Sequence, residues 1–151
     1  VSKLAEILDS VKGDHEVAAL TIGGQALTVV KRKLPNREQT DAAYQVAVSG
    51  GERAEQVKRI AFGSRYAVTY RVEMTLIVPN DRDQATNLDD VTAWRETTRA
   101  RYMRPNPIAV AGVQRVEVVD GVLLDRELLS EGYDYSQVVI DVTTYENRSA
   151  S

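Results

Sequence analysis

The feature that most constrains this chain is a stretch of fifteen residues, Arg65–Pro79, in which side-chain character alternates. Apolar or aromatic residues occupy every second position, whereas Arg71, Glu73 and Thr75 point the other way. Period-two alternation predicts a β-strand with one buried face, and this strand is long. We expect it to form one arm of a hairpin that extends beyond a sheet, with Gln56–Phe62 as its partner.

Shorter apolar runs, separated by glycine pairs, predict further strands. Two-residue hairpin turns favour glycine because their central positions need a positive φ. Gly23-Gly24 therefore predicts a hairpin, whereas Gly50-Gly51 is expected to end a strand. The other predicted strands are Glu16–Ile22, Gln25–Lys33, Ala42–Val48, Val113–Val119 and Tyr133–Tyr145.

Apolar residues at helical spacing predict two or three helices beside these strands. Ser2–Lys12 is expected to be a short helix that Gly13 ends. Asn87 is expected to cap a second helix, with aspartates in the first turn and arginines in later turns, as the helix dipole favours. The remaining predictions are a short helix over Leu123–Leu129, loops over Leu34–Asp41 and Asn80–Asn87, and a flexible tail over residues 147–151.

The order of these elements predicts the fold class. Strands outnumber helices and most neighbouring strands are joined by short turns, which indicates an α+β fold. We expect a mainly antiparallel sheet with a long β-hairpin and two or three flanking helices. No linker composition divides the chain, so residues 1–146 are expected to form a single domain. No run approaches the 18 apolar residues of a membrane span, and no membrane association is expected.

Composition excludes several kinds of chemistry. The chain has no cysteine and one histidine, His15, which removes disulfide scaffolds, cysteine nucleophiles and zinc fingers. His15 is expected to lie in a solvated turn, since its neighbours in a turn rarely supply catalytic geometry. The acidic run around Asp81 and Asp83 lacks the glycine and glutamate of a calcium loop. We therefore expect no catalytic residue, metal or cofactor.

The charges are nearly balanced, with 19 basic and 22 acidic residues. Residues 101–151 carry five basic and eight acidic side chains, so any electrostatic bias should come from that segment. Lys31-Arg32-Lys33 and the arginines of the second predicted helix form local basic clusters. They could face nucleic acid or an acidic neighbouring subunit, or they could be solvated.

Tyrosines on predicted strands are the most suggestive group. Tyrosine packs across strands, and it is also enriched at subunit contacts. Tyr133 and Tyr135 fit both interpretations and are expected to face opposite ways. The candidate subunit-contact residues are Tyr66, Tyr70, Arg95, Arg99, Tyr133 and Tyr135.

The order of elements between Val46 and Tyr145 resembles that of small neck and tail-completion proteins of tailed bacteriophages, especially the tail terminators. The residues that carry the resemblance are Arg65-Tyr66-Ala67-Val68-Thr69-Tyr70-Arg71-Val72, Leu88-Asp89-Asp90-Val91-Thr92-Ala93-Trp94-Arg95-Glu96 and Tyr133-Asp134-Tyr135-Ser136-Gln137-Val138-Val139-Ile140-Asp141-Val142. The hairpin around Gly23-Gly24 is outside it.

The resemblance implies a structural virion protein with no catalytic residues. Such a protein would form a homo-oligomeric ring, commonly a hexamer, that caps the tail tube and joins it to head-side connector proteins. The ring would surround a lumen close to DNA. The alternatives are another head–tail joining or minor capsid protein, or a small enzyme or ligand-binding domain that uses Asp81, Asp83 and Asp141.

Overall fold

The computed structural model describes residues 2–32, 44–59, 65–79, 84–119, 121–124 and 133–147. These residues form an α+β fold, as the sequence predicts. In chain order the elements are α1 (Lys3–Ala18), β1 (Thr21–Ile22), β2 (Gln25–Ala26), β3 (Thr28–Lys31), β4 (Gln45–Arg59), β5 (Arg65–Pro79), α2 (Gln84–Met103), β6 (Val113–Val119) and β7 (Tyr133–Asn147).

The main sheet has five strands in the order β3-β4-β5-β7-β6. The β3–β4 pair is parallel and the other pairs are antiparallel. The predicted long hairpin is β4 and β5. It does not project as a free arm, because β7 pairs with β5 from Arg65↔Asn147 to Pro79↔Tyr133. That end of the sheet is therefore at least three strands wide.

The alternation in β5 decides which face of the sheet is covered. The side chains at its even positions lie in the core, and those of Val72, Met74 and Leu76 are fully buried. Ile7 of α1 and Trp94 of α2 belong to the same core cluster. Burying such side chains stabilises the fold by about 1.5–3 kcal/mol each. We call this side of the sheet the helix face and the opposite side the open face, although Thr75 and Ile77 are buried on the open face as well.

Helix α1 is longer than predicted, so the expected strand Glu16–Ile22 is wrong except for its last two residues, which form β1. The helix passes through Gly13 and ends at Ala18, and Ala19 caps it in a left-handed conformation with φ 49°. It continues because its buried residues, Ile7, Val11 and His15, recur every fourth position and pack on the core. This packing outweighs the weak helix propensity of one glycine, which costs about 1 kcal/mol.

The predicted turn at Gly23-Gly24 is confirmed, but its strands are short. Both glycines have positive φ, 55° and 79°, as a type I′ turn requires. The turn joins β1 to β2, which have two residues each. The expected strand Gln25–Lys33 is thus two strands, β2 and β3, and Lys33 lies outside the described residues.

Strand β4 runs through the glycine pair that was expected to end a strand. Its register against β5 shifts between Gly50 and Glu55, which marks a β-bulge. A Cβ at Gly50 would lie 2.9 Å from the Cβ of Ala54, so the irregular segment is too tight there for a side chain. The predicted strands Ala42–Val48 and Gln56–Phe62 are therefore parts of one strand, as far as the described residues extend.

Helix α2 begins at Gln84, so Asn87 is not its cap. Asn87 is a buried residue within the helix. Spacing of three to four residues along the sequence predicts an apolar face made of Leu88, Val91, Trp94, Thr98 and Tyr102. All of these residues are buried except Leu88, which is exposed. No helix in the described segments is long and apolar enough to cross a membrane.

The C-terminal part contains β6 and β7 at their predicted positions. Strand β7 continues to Asn147, so the expected tail starts one residue later, and residues 148–151 lie outside the described residues. Leu123 and Leu124 are not helical, and the rest of the predicted Leu123–Leu129 helix lies outside the description, as do the Leu34–Asp41 loop and Asn80–Asp83. The single domain over residues 1–146 stays a prediction.

Substituting Gly121 by alanine is expected to lower the free energy of unfolding by about 1–3 kcal/mol, the usual cost of overpacking. A Cβ at Gly121 would overlap the carbonyl oxygen of Gln137 and lie 3.0 Å from its carbonyl carbon. Both are backbone atoms of β7, so they cannot rotate away. Urea unfolding followed by circular dichroism measures the loss. Gly13→Ala is the control, because nothing lies within 4 Å of a Cβ there. Equal stability of the two variants would contradict this close contact.

Candidate functional site

The described residues offer two candidate regions, a buried joint between the helices and a set of exposed apolar side chains near the sheet edges. The joint forms because His15 and Asp14 near the end of α1 meet the second half of α2. His15 is only 2% exposed, so the expected solvated turn is wrong. A period of 3.6 residues places it below Val11 on the buried face of the helix.

The tautomer of His15 follows from its contact with Trp94. The Trp94 Nε1–H donates a hydrogen bond to His15 Nε2 at 3.3 Å, so this nitrogen is an acceptor and the ring is neutral. His15 Nδ1 is buried and has no hydrogen-bond partner among the described residues. Burial lowers the pKa of His15 from its ordinary 6.5 to about 4, an effect that nearby Asp14 opposes and Arg101 reinforces.

Asp14 lies at the rim of the joint and binds two arginines. It accepts hydrogen bonds from Arg101 at 3.0 and 2.8 Å and from Arg104 at 2.7 Å. Burial raises the pKa of Asp14, but the hydrogen bonds from both arginines outweigh that effect and hold it below its usual 3.8. The one carboxylate offsets only one of the two positive charges, but both guanidinium groups are held by Asp14, so Arg101 and Arg104 are not free to act as the basic surface considered above.

Arg95 has a structural role that the sequence does not signal. Its side chain is buried at 9% exposure and points to the junction of β7 with the segment after β6. Its Nη1 donates to the carbonyl oxygen of Val122 at 2.9 Å, to Ser136 Oγ at 3.0 Å and to the carbonyl oxygen of Gln137. Burial, and then repulsion from Arg99, lower the pKa of Arg95. One guanidinium thus ties α2 to two chain segments.

The segment that Arg95 holds exposes three consecutive apolar side chains. Val122, Leu123 and Leu124 are 46%, 42% and 40% exposed. The Gln137 backbone N–H donates to the Val122 carbonyl oxygen at 2.7 Å, so the start of this run is bound to β7 as well as to α2. We call Val122–Leu124 the apolar run.

The candidate contact residues are not gathered on one surface. Tyr70 is buried and donates a hydrogen bond from its hydroxyl to Glu146 Oε2 at 3.0 Å. Tyr66 is half-buried against the core, and Arg99 is half-buried on α2. Tyr70 and Arg95 are therefore internal residues, which leaves them no surface with which to contact a subunit.

Tyr133 and Tyr135 lie on the same face of β7, so the expectation that they face opposite ways is wrong. Residues two apart in a strand share a face. Both are on the open face, opposite Pro79 and Ile77 of β5. Gln137 donates to the Tyr135 hydroxyl at 2.8 Å and to Thr75 Oγ1 at 3.2 Å, which connects these residues in one polar network.

Of the three aspartates considered as possible catalytic or ligand-binding residues, one forms an ion pair and two lie outside the described residues. Asp141 binds Arg71 through two hydrogen bonds of 2.9 and 3.1 Å on the open face, and this pairing raises the pKa of Arg71. Asp81 and Asp83 lie outside the described residues. Within the described part of the chain, no group of three or more His, Cys, Asp or Glu is placed to hold a metal ion.

A cleft of about 250 Å³ lies where the end of α1 meets β1 and α2. Leu20, Thr21, Ala93 and Trp94 line it together with Asp90. Among these described lining residues Asp90 is the one carboxylate, whereas general acid–base chemistry uses matched groups placed at a substrate. The cleft does not by itself indicate a reaction.

Comparison with protein-family models gives no match, and comparison with curated proteins gives none either.

Proposed function

We propose that this chain is a structural subunit of a tailed bacteriophage, of the tail-terminator or neck type. Copies assemble into a ring, for which a hexamer is favoured, that caps the tail tube and joins it to the head-side connector. Its place is the virion, and the host cytoplasm during assembly. No catalytic residue or cofactor takes part, and the chain has no membrane partner.

The observation that carries this proposal is the apolar run. Contiguous exposed apolar side chains mark contacts with other macromolecules, because leaving them in water is unfavourable. Here the first residue of the run is fixed, because the carbonyl oxygen of Val122 accepts hydrogen bonds from Arg95 and from the backbone N–H of Gln137. A surface that is already ordered loses less conformational entropy on binding, which suits a permanent subunit contact.

The distribution of charge favours contact with protein over tight binding of nucleic acid. High-affinity phosphate binding needs several free cations together. Lys31 binds Asp9 at 2.6 Å, and the arginines at the end of α2 bind Asp14. As far as the described residues show, DNA in the lumen of the ring would be a neighbour and not a tightly bound ligand.

The alternatives have weaker support. An enzyme or ligand-binding domain based on Asp141 would need that carboxylate at a substrate, but both of its oxygens bind Arg71. Another head–tail joining or minor capsid protein would use the same kind of contact surface. Binding to purified tail tubes distinguishes it from a tail terminator.

We expect the purified chain to form a closed oligomer, and mass photometry with negative-stain electron microscopy measures its mass and shape. Leu123→Asp should shift the population towards monomer, because it places a charge within the apolar run. Leu88→Asp is the matched control, since Leu88 is 51% exposed but lies on α2. A strictly monomeric wild-type chain that binds neither tail tubes nor connectors would overturn the proposal.

A further inference from the structure

At the far end of β4, one edge of the main sheet has no neighbouring strand among the described residues. Strand β3 pairs with β4 only from Gln45 to Val48, and no described strand lies on the outer side of β4 beyond that point. The four residues from Glu55 to Lys58 are all exposed, and Val57 is 57% exposed. We call Glu55–Lys58 the β4 edge. An exposed strand edge presents unpaired backbone N–H and C=O groups, which can pair with a further strand.

The opposite edge of the sheet is β6, which has a described strand partner, β7, on one side. Its residues Gln114, Arg115 and Glu117 are exposed. Because β4, β5, β7 and β6 pair antiparallel in that spatial order, β6 runs opposite to β4. A second copy rotated about an axis along the strands would therefore bring its β6 antiparallel to the β4 edge of the first.

We propose that the β4 edge of one copy pairs with β6 of a second copy, so that the sheets of neighbouring subunits join at each contact. This inference rests on the proposed ring and specifies how its subunits meet. The contact is heterologous, since it uses two different surfaces, and such contacts generate rings when the rotation closes.

Side-chain direction limits the registers that this joint can adopt. Val57 pairs with Val68 of β5 and so lies on the helix face, whereas Lys58 pairs with Ala67 and lies on the open face. On β6, Val118 pairs with Ile140 on the helix face and Glu117 pairs with Asp141 on the open face. Directly opposed residues share a face, so within the regular part of β6, after its register shift between Val113 and Arg115, Val57 must oppose Val116 or Val118.

Charge selects one register among those that remain. When Val57 opposes Val118, Lys58 opposes Glu117, which places an apolar pair beside an oppositely charged pair. When Val57 opposes Val116, Lys58 meets Arg115, and two like charges face each other. Like charges directly opposite are destabilising, so the first register is favoured. In that register the apolar run, which follows β6 in the sequence, extends the contact.

A two-fold joint between two β4 edges is the competing arrangement. Centred on Val57, it would place Lys58 opposite Gln56 of the other copy, an uncharged residue. It would also leave both β6 edges exposed in the dimer. The joint between β4 and β6 covers the β4 edge of one copy and the β6 edge of its neighbour at every contact. A closed ring therefore leaves neither edge free to pair with other strands.

Cysteine cross-linking tests the joint directly, because the chain contains no cysteine. In the double variant Lys58→Cys/Glu117→Cys, mild oxidation should produce a ladder of covalent oligomers on a non-reducing gel, ending at the full ring. Directly opposed strand residues lie within disulfide distance. Each single variant should give no ladder.

Charge reversal provides an independent measurement. Lys58→Glu and Glu117→Lys should each weaken the joint roughly fivefold to tenfold. The double reversal should restore part of the loss, since the pair is then opposite again, whereas the contact of Glu117 with Arg115 at 2.8 Å is not regained. Glu96→Lys, at an exposed position of α2, is the control for the charge change alone. Circular dichroism melting confirms that each variant is folded.

The outcomes separate this inference from the proposed function. A ladder in the double cysteine variant, with rescue by double reversal, supports the joint. An assembled oligomer without a ladder overturns the joint and leaves the ring proposal in place. A cross-linked dimer from Val57→Cys alone overturns it in favour of the two-fold arrangement. A wild-type chain that never assembles overturns the proposed function itself.

Discussion

Replacing Arg95 by methionine is expected to lower the free energy of unfolding by about 2–4 kcal/mol, the range for losing hydrogen bonds to a buried charged group. Methionine fills similar space but donates no hydrogen bond. The half-buried Val122 carbonyl and the buried Ser136 hydroxyl would each lose a donor. Chemical denaturation followed by circular dichroism and Trp94 fluorescence measures the change.

Arg99→Met is the matched control for this substitution. Arg99 lies one helical turn further along α2, is half-buried, and repels Arg95 electrostatically. Its removal should change the stability by no more than about 0.5 kcal/mol, as is usual for surface substitutions. Arg95→Met should also weaken self-association if the apolar run needs its anchor. Equal stability of the two variants would show that Arg95 is not an anchor.

Lowering the pH is expected to destabilise the protein because His15 becomes protonated more readily in the unfolded chain. This loss begins at a higher pH than the protonation of most carboxylates. The pKa of His15 is about 4 in the folded chain, against 6.5 when it is exposed. Between these values the unfolded chain binds more protons than the folded chain, so stability rises with pH. Neutral His15 contributes about 3 kcal/mol to the free energy of unfolding. This contribution is fully present above pH 6.5 and is lost as the pH falls towards 4.

His15→Gln tests this assignment, because its amide oxygen still accepts from Trp94 but does not titrate. Between pH 7 and 4.5 the variant should lose less stability than the wild type in urea titrations. Since the chain has one histidine, its imidazole NMR resonances report the pKa without ambiguity. Asp14, whose pKa is lowered, acts below this window. A histidine with a pKa near 6.5 in the folded protein would contradict the burial of His15 against Trp94.

Local patterns were sufficient for the elements whose periodicity is strong. The alternation of Arg65–Pro79 predicted the bounds of β5 and the face that packs on the helices, but not that Thr75 and Ile77 on the other face are also buried. The turn at Gly23-Gly24 was predictable because few residues other than glycine adopt two successive positive φ angles. Strands β6 and β7 followed from the same period-two rule.

The sequence interpretation failed where a distant contact decides the outcome. A glycine followed by polar residues normally ends a helix, yet α1 continues because His15 packs against Trp94, 79 positions away. Arg95 resembles any other helical arginine in the sequence, and only its contacts with Val122 and Ser136 distinguish it. One signal was present, since His15 lies four residues after Val11 and eight after Ile7.

By itself the sequence determined the class of fold and the buried face of the central strand, because these depend on periodicity along one segment. Because the sequence contains no cysteine, it also excluded disulfide bonds and cysteine nucleophiles. Tertiary structure alone decided that Arg95 is an internal anchor, that His15 is buried and neutral, and that the β4 edge and β6 lie at opposite ends of the sheet. Those properties depend on which segments meet in space, and pairing between segments distant in sequence leaves little trace in any one of them.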